Sequence, residues 1–123
     1  MTVTQDDIRL SAGEELALPF LQTAVEMDRA GQRPENRDAL IAVLANNAML
    51  WTHIKTQFAH NMSGLSQDYL DYLNEMSQFM IRSTLLMSRE ADRSYLDKLI
   101  QMNLNMCEQL LTMAARSDVA GTA

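Results

Sequence analysis

The clearest helical signal in the chain is residues 40–58, which read LIAVLANNAMLWTHIKTQF. Large side chains recur there in alternating steps of four and three residues, a spacing that places them on one face of an α-helix. The face is apolar with one exception and consists of Leu40, Leu44, Asn47, Trp51, Ile54 and Phe58. The pattern predicts a helix from about Glu35 to His60, with this face buried against other helices.

A second stretch of the same kind is residues 96–113, which read LDKLIQMNLNMCEQLLTM. Its stripe again steps by three and four residues and consists of Leu96, Leu99, Asn103, Met106, Leu110 and Met113. Such a heptad-like seam is typical of helices that pack against their neighbours at shallow angles. It predicts the last helix of the chain.

Two further helical patterns complete the chain. The first runs from Ala12 to about Ala30, and because Pro19 lies inside it, this helix either starts near Leu18 or kinks there. The other follows Ser66, a good N-cap. Its expected buried stripe is Tyr69, Leu73, Met76, Met80 and Thr84, widened by Leu70 and Ile81. We expect residues 88–92 to separate it from the last helix, with one continuous helix as the alternative.

These patterns predict an all-α protein. Gly and Pro number only 4 and 2, and Leu, Ala and Met, which favour helices, dominate the composition. We expect an antiparallel bundle of about four helices, or alternatively a long three-helix arrangement with a helical arm. The predicted organisation is a flexible arm at residues 1–11, a single helical-bundle domain at 12–116 and a flexible tail at 117–123.

The charge of the chain argues against several classes of partner. The net charge is −6, and the 10 basic residues are scattered. Nucleic-acid binding relies on clustered Lys and Arg, so we expect no direct contact with DNA or RNA, and no docking on anionic lipid. No apolar run approaches the roughly 20 residues of a membrane span, and the first ten residues do not resemble a signal peptide. We expect a cytoplasmic protein that does not contact membranes.

Groups that could perform catalysis are sparse and scattered. His53 and His60 are two helical turns apart, too far to chelate one metal ion alone. Cys107 is followed by Glu108, which would raise the thiol pKa. We find no phosphate-binding glycine loop and no nucleophile elbow. An acidic stripe at Asp68, Asp71 and Glu75 is most simply a solvated helix face. We therefore expect no enzyme, no bound metal and no cofactor.

Two asparagines lie on the otherwise apolar stripes. Asn47 and Asn103 either bond to each other or to backbone, which would fix the register of their helices, or face a groove and bond to a partner's main chain. The first interpretation is the one we favour.

Methionine is unusually frequent, with 10 residues. Its flexible side chain fills cores and also lines surfaces that accept partner helices. Four methionines lie off the predicted stripes and are possible members of an exposed binding surface: Met49, Met62, Met87 and Met102.

Two short motifs carry a resemblance to a known family. The segment Asn47-Ala48-Met49-Leu50-Trp51 resembles the Asn-x-x-Leu-Trp signature of the FlaF family of flagellar biosynthesis regulators. The segment Leu99-Ile100-Gln101-Met102-Asn103 resembles that family's closing Leu-Ile-x-x-Asn helix. The similarity covers about Glu14 to Leu111. The matching positions are Asn47, Leu50, Trp51, Leu99, Ile100 and Asn103.

The resemblance implies a role in flagellin production or export. A FlaF-type protein would bind flagellin, holding its amphipathic terminal helices before secretion as a chaperone or regulating its synthesis. The alternative is a post-transcriptional regulator of flagellin expression that acts through a partner protein such as FlbT. The motif positions would either touch flagellin or hold the bundle together.

Overall fold

A computed structural model describes residues 12–61 and 64–122 of the chain, with side chains for 13–60 and 64–115. This part of the chain contains four helices and no strand, which confirms the predicted all-α class. The helices are α1 (Ala12–Gly31), α2 (Arg37–Asn61), α3 (Gln67–Arg89) and α4 (Arg93–Thr122). The predicted arm at residues 1–11 lies outside the described residues.

The helices form an antiparallel bundle in which α1 packs along α4, α2 along α3, and α1 against α2. The two glycines of α1 mark its closest approach to α4. A Cβ added to Gly13 would lie 2.3 Å from the Cβ of Ala114, and one added to Gly31 would lie 2.4 Å from a methyl group of Leu96. The start of α1 therefore meets the end of α4, and its end meets the start of α4.

Hydrogen bonds show that α2 and α3 are antiparallel as well. The hydroxyl of Thr84 donates to the carbonyl oxygen of Leu44 at 3.1 Å, and Lys55 donates to the side-chain oxygen of Asn74 at 3.2 Å. Residues late in α3 thus meet residues early in α2, and residues early in α3 meet residues late in α2.

A single apolar core lies between the four helices and contains every apolar side chain of the predicted α2 stripe. Trp51 and Phe20 meet at its centre, with ring centroids 5.2 Å apart and an interplanar angle of 83°. This edge-to-face geometry is a favourable one for aromatic pairs. Burial of the stripe on α2 and of the seam on α4 explains why both segments form long helices, since packing rather than propensity provides most helical stability.

Short polar side chains set the start of three helices. Asn36 and Ser66 each accept a hydrogen bond from a backbone N–H of the first turn of α2 and α3, at 3.2 and 3.1 Å. Asp92 accepts from the N–H of Ser94 at 2.9 Å and from that of Tyr95 at 3.3 Å, at the start of α4. The predicted cap at Ser66 is confirmed, and so is a break between α3 and α4, although it spans only residues 90–92 because Ser88 and Arg89 still belong to α3.

The first helix differs from one of its two predicted forms. It begins at Ala12 and contains Pro19, so a start near Leu18 is wrong. The proline removes one backbone donor. The turns before it are nevertheless covered, because Gly13 lies against α4 and Ala17 is buried.

The last helix is longer than expected. Its backbone continues through Thr122, beyond the predicted domain end at 116. Mobility of the predicted tail at 117–123 stays a prediction.

The buried face of α3 is more polar than its sequence pattern predicts. Ile81 is 42% exposed, whereas Ser77 and Ser83 are buried. Ser77 exchanges a hydrogen bond of 2.9 Å with Thr52, and Ser83 exchanges one of 2.8 Å with Tyr95. Polar groups are tolerated inside when they are bonded, and these partners come from other helices. The expectation that Ile81 widens the buried stripe is therefore wrong.

Candidate partner-binding site

The two asparagines on the apolar stripes bond to each other in the core. The Nδ2 of Asn103 donates to the Oδ1 of Asn47 at 2.8 Å, and the indole N–H of Trp51 donates to the Oδ1 of Asn103 at 2.9 Å. The Nδ2 of Asn47 faces the sulfur of Met80 at 3.3 Å. The two asparagines and the tryptophan are each at most 1% exposed. The network ties α2, α3 and α4 in one register, and the alternative of asparagines in an open groove is wrong.

The remaining motif positions also belong to the core. Leu99 is fully buried, while Leu50 and Ile100 are half-buried and pack against the same cluster. The six positions that carry the family resemblance therefore hold the helices together. Leu50 and Ile100 keep some exposed surface, and contact of either residue with a partner stays a prediction.

The four methionines proposed as an exposed surface have different environments. Met49 is 70% exposed, as predicted, and Met102 is half-buried. Met87 is 3% exposed, so its assignment to an exposed surface is wrong. Its position explains this, because it follows Met80 by seven residues and extends the buried face of α3 by two further turns. Met62 lies outside the described residues.

A groove runs between α3 and α4, which approach each other less closely than the other neighbouring helices. We call this the α3–α4 groove. On α3 its apolar side chains follow each other in steps of three, four and three residues, and on α4 two methionines lie half-buried. From helical spacing and partial exposure we assign six residues to the groove: Tyr69, Tyr72, Met76, Phe79, Met102 and Met113.

The two ends of the groove differ. At its upper end Tyr95 crosses from α4 to α3, bonded to Ser83 and with its ring centroid 6.3 Å from that of Phe79. At its lower end, where α3 begins, a cavity of about 500 Å³ opens between the helices. Its lining residues are Tyr69, Asn105, Glu108, Gln109, Thr112 and Met113. The groove is thus closed above and open below.

Tyr69 lies at the open end with an unsatisfied polar group. Its ring lies between those of Phe58 and Tyr72, with centroids at 6.1 and 5.9 Å. Its hydroxyl is buried and has no hydrogen-bond partner. Burial raises the pKa of Tyr69, and the neighbouring Tyr72 adds to the effect. A buried hydroxyl without a partner costs about 1–3 kcal/mol.

The charged side chains that the structure describes along the open half of the groove are acidic. Asp68, Glu75 and Glu108 are exposed at its margins, and residues 67–81 and 99–115 contain no Lys or Arg. Arg82 and Lys98 carry positive charge nearer the closed end. Arg116 follows these stretches on α4, and its side chain lies outside the described residues. Among the side chains described in 67–81 and 99–115 only carboxylates are charged, which favours a basic ligand over an acidic one.

A second, smaller apolar surface lies on the other side of α3. We call it the Met49 patch. Its exposed members are Met49, Ile81 and Leu85, with Leu85 60% exposed, and a shallow cavity of about 330 Å³ lies beside Met49. His53 is the one titratable residue among those lining this cavity.

The sequence pattern indicated Met102 in the α3–α4 groove and Met49 in the Met49 patch. It did not indicate the aromatic residues that α3 contributes to the groove. The signal is present in the sequence, because Tyr69, Tyr72, Met76 and Phe79 form a second apolar stripe on α3. The periodicity assigns Tyr69 and Met76 to the core stripe, and this assignment conceals the second face.

The described residues offer little for metal or membrane binding. No group of three His, Cys, Asp or Glu side chains among them is placed to hold a metal ion. Cys107 is buried, and burial raises the pKa of its thiol. Over its described residues, none of the four helices is both long and apolar enough to span a membrane.

Comparison with known proteins identifies the family. The family model described as flagellar protein FlaF matches residues 10–110, which include α1, α2, α3 and most of α4. The matched region contains both sequence motifs and the asparagine network that joins them. No curated protein and no solved structure gives a match. The chain belongs to the FlaF family of flagellar proteins.

Proposed function

We propose that this flagellar protein binds flagellin in the cytoplasm, as a chaperone before export or as a regulator of flagellin synthesis. The observation that carries the proposal is the α3–α4 groove, which the described part of the chain leaves open and which combines apolar and polar side chains. Apolar grooves with charged margins are typical of sites that receive an amphipathic helix.

Flagellin suits such a groove. Its terminal segments are amphipathic helices whose apolar faces need cover while the protein is unpolymerised. Burial of an apolar face contributes roughly 25 cal/mol per Å² removed from water. A groove of a few helical turns would cover one such face without unfolding either protein.

Binding rather than catalysis also fits the reactive groups of the chain. The strongest nucleophile, Cys107, lies in the core with a raised thiol pKa, which lowers its thiolate fraction at neutral pH. His53 and His60 are exposed on the surface of α2. The proposal therefore includes no reaction, metal or cofactor.

The second candidate function is post-transcriptional regulation of flagellin through a FlbT-type partner. The observation in its favour is the Met49 patch, which lies on a different side of α3 from the groove. Two separate surfaces would allow the protein to hold flagellin and a regulator together. Direct RNA contact has less support, because the chain carries 16 acidic and only 10 basic residues.

Size-exclusion chromatography of the purified protein with flagellin from its own organism tests the proposal. We expect a one-to-one complex that is lost when the terminal helices of flagellin are deleted. If no complex forms at micromolar concentrations, flagellin binding is wrong, and the same experiment with the FlbT-type protein tests the second candidate.

A further inference from the structure

We propose that the α3–α4 groove binds one amphipathic helix of the partner protein, oriented so that its Lys and Arg side chains lie over the acidic lower half. The proposal rests on the flagellin-binding function above and adds the site, the charge of the ligand and its orientation. Three features of the groove carry it: its dimensions, its charge and the hydroxyl of Tyr69.

The dimensions fit a helix of a few turns. From Tyr69 to Phe79 the floor on α3 is about 15 Å long, and the stretch of α4 from Met102 to Met113 is about as long. That length accommodates about three turns of a bound helix. The cavity of about 500 Å³ at the open end is large enough for several of its side chains.

The charge selects among amphipathic helices. Asp68 and Glu75 directly precede the groove residues Tyr69 and Met76, and Glu108 lines the cavity on the opposite helix. A ligand helix with acidic flanks would be repelled here, whereas Lys or Arg on its flanks would meet carboxylates on both margins. Arg82 and Lys98 near the closed end favour acidic side chains of the ligand at that end. The bound helix would therefore place its basic residues over the open end and any acidic residues over the closed end.

The hydroxyl of Tyr69 supplies a polar anchor. It is buried, without a hydrogen-bond partner, and belongs to a residue that lines the cavity. A polar group of the bound helix would satisfy this donor once the side chains that cover the hydroxyl move aside, because the oxygen has no accessible surface in the free protein. The Met49 patch lacks the acidic margin of the groove. Its cavity is lined by Ala48, Met49, Thr52, His53 and Ile81, and none of these residues carries a carboxylate.

The test uses the full chain with its methionine methyl groups labelled for NMR. The probe is a synthetic amphipathic peptide of about 15 residues, three to four helical turns, with leucines on one face and lysines on its flanks. On titration we expect the methyl signals of Met76, Met102 and Met113 to shift, and that of Met49 to stay in place. The same peptide with each lysine replaced by glutamate should not bind. No binding of the lysine peptide, or shifts at Met49 instead, would overturn the proposal.

Matched variants test the charge. Glu75→Lys combined with Glu108→Lys should raise the peptide's Kd at least about tenfold, roughly the effect of losing two close charge pairs. The control, Glu15→Lys with Glu26→Lys, changes the net charge equally on exposed positions of α1 and should change Kd less than about twofold. Equal weakening by both pairs would show attraction to the net charge alone and refute the assignment.

Flagellin itself then separates this inference from the proposed function. If the double variant Glu75→Lys with Glu108→Lys binds flagellin as tightly as the parent protein does, the groove is refuted and flagellin binding stays intact. Groove binding of the lysine peptide without any binding of flagellin would support the groove and refute the choice of flagellin.

Discussion

Replacement of Asn103 by leucine isolates the energetic role of the buried polar network. Asn103 donates to Asn47 at 2.8 Å and accepts from the indole of Trp51 at 2.9 Å, and it is 0% exposed. Leucine has a similar size but neither polar atom. The substitution keeps the branched arrangement of the side chain and removes two hydrogen bonds, and its bulkier methyl groups add some crowding at these short contacts.

The magnitude follows from the atoms left behind. In Asn103→Leu, the Oδ1 of Asn47 and the Nε1 of Trp51 both stay buried without their partners. Each such group costs about 1–3 kcal/mol, so the free energy of unfolding should fall by about 2–6 kcal/mol. A domain of this size is stable by about 5–15 kcal/mol, so the loss is large enough to measure.

The double variant Asn47→Leu with Asn103→Leu provides the sharper test. Removing Asn47 eliminates one of the two stranded groups, and only the Trp51 indole then lacks its acceptor. The double variant should lose about 1–3 kcal/mol, which is less than the single Asn103→Leu variant loses. Urea unfolding followed by circular dichroism measures the parent, both single variants and the double variant.

A matched control is Asn46→Leu, which makes the same change at an exposed position of α2 and should alter stability by less than about 0.5 kcal/mol. The reasoning is refuted if Asn103→Leu loses no more than this control, or if the two core substitutions are simply additive.

Three further predictions concern the core and its closest contact. Trp51→Ala should lower the free energy of unfolding by about 3–5 kcal/mol because the ring is buried against Phe20; in urea unfolding, a loss below about 1 kcal/mol would contradict that packing. Gly13→Ala should destabilise by about 1–3 kcal/mol despite the better helix propensity of alanine, since its Cβ would lie 2.3 Å from that of Ala114. A thermal melt of the pair Gly13→Ala with Ala114→Gly should show recovery, and no recovery would refute the contact. The buried thiol of Cys107, whose pKa is raised, should react with a thiol reagent at about pH 8 at least about tenfold more slowly in the native protein than in urea, and equal rates would place it at the surface.

The sequence predicted the fold where one face of a helix meets one core. The stripes on α2 and α4 needed only the period of the α-helix, because their apolar positions face a single interior. The same periodicity placed Asn47 and Asn103 inside, and burial then required them to find partners. Their bond to each other was one of two open alternatives, and only the relative position of α2 and α4 decides between them.

The errors arose where tertiary contacts override local rules. Pro19 signals a helix start, yet α1 begins at Ala12 because Gly13 and Ala17 pack into the bundle. Ser77 and Ser83 look like surface residues, and their hydrogen-bond partners lie on α2 and α4, which local sequence cannot reveal. The groove itself depends on the distance between α3 and α4, which cannot be predicted from the spacing of apolar residues along either helix.

The location of the motif residues changes how loss-of-function variants should be interpreted. Asn47, Trp51 and Asn103 are buried and bonded to one another. Substituting any of them therefore lowers the free energy of unfolding and does not directly change a binding surface. If a cell that carries such a variant lacks flagella, the defect would therefore reflect a smaller amount of folded protein. Exposed positions beside the groove, such as Glu75 and Glu108, change charge without touching the core. If flagellin binding is lost in those variants while the unfolding curve stays that of the parent, the defect lies in recognition, and the two roles are separated within one chain.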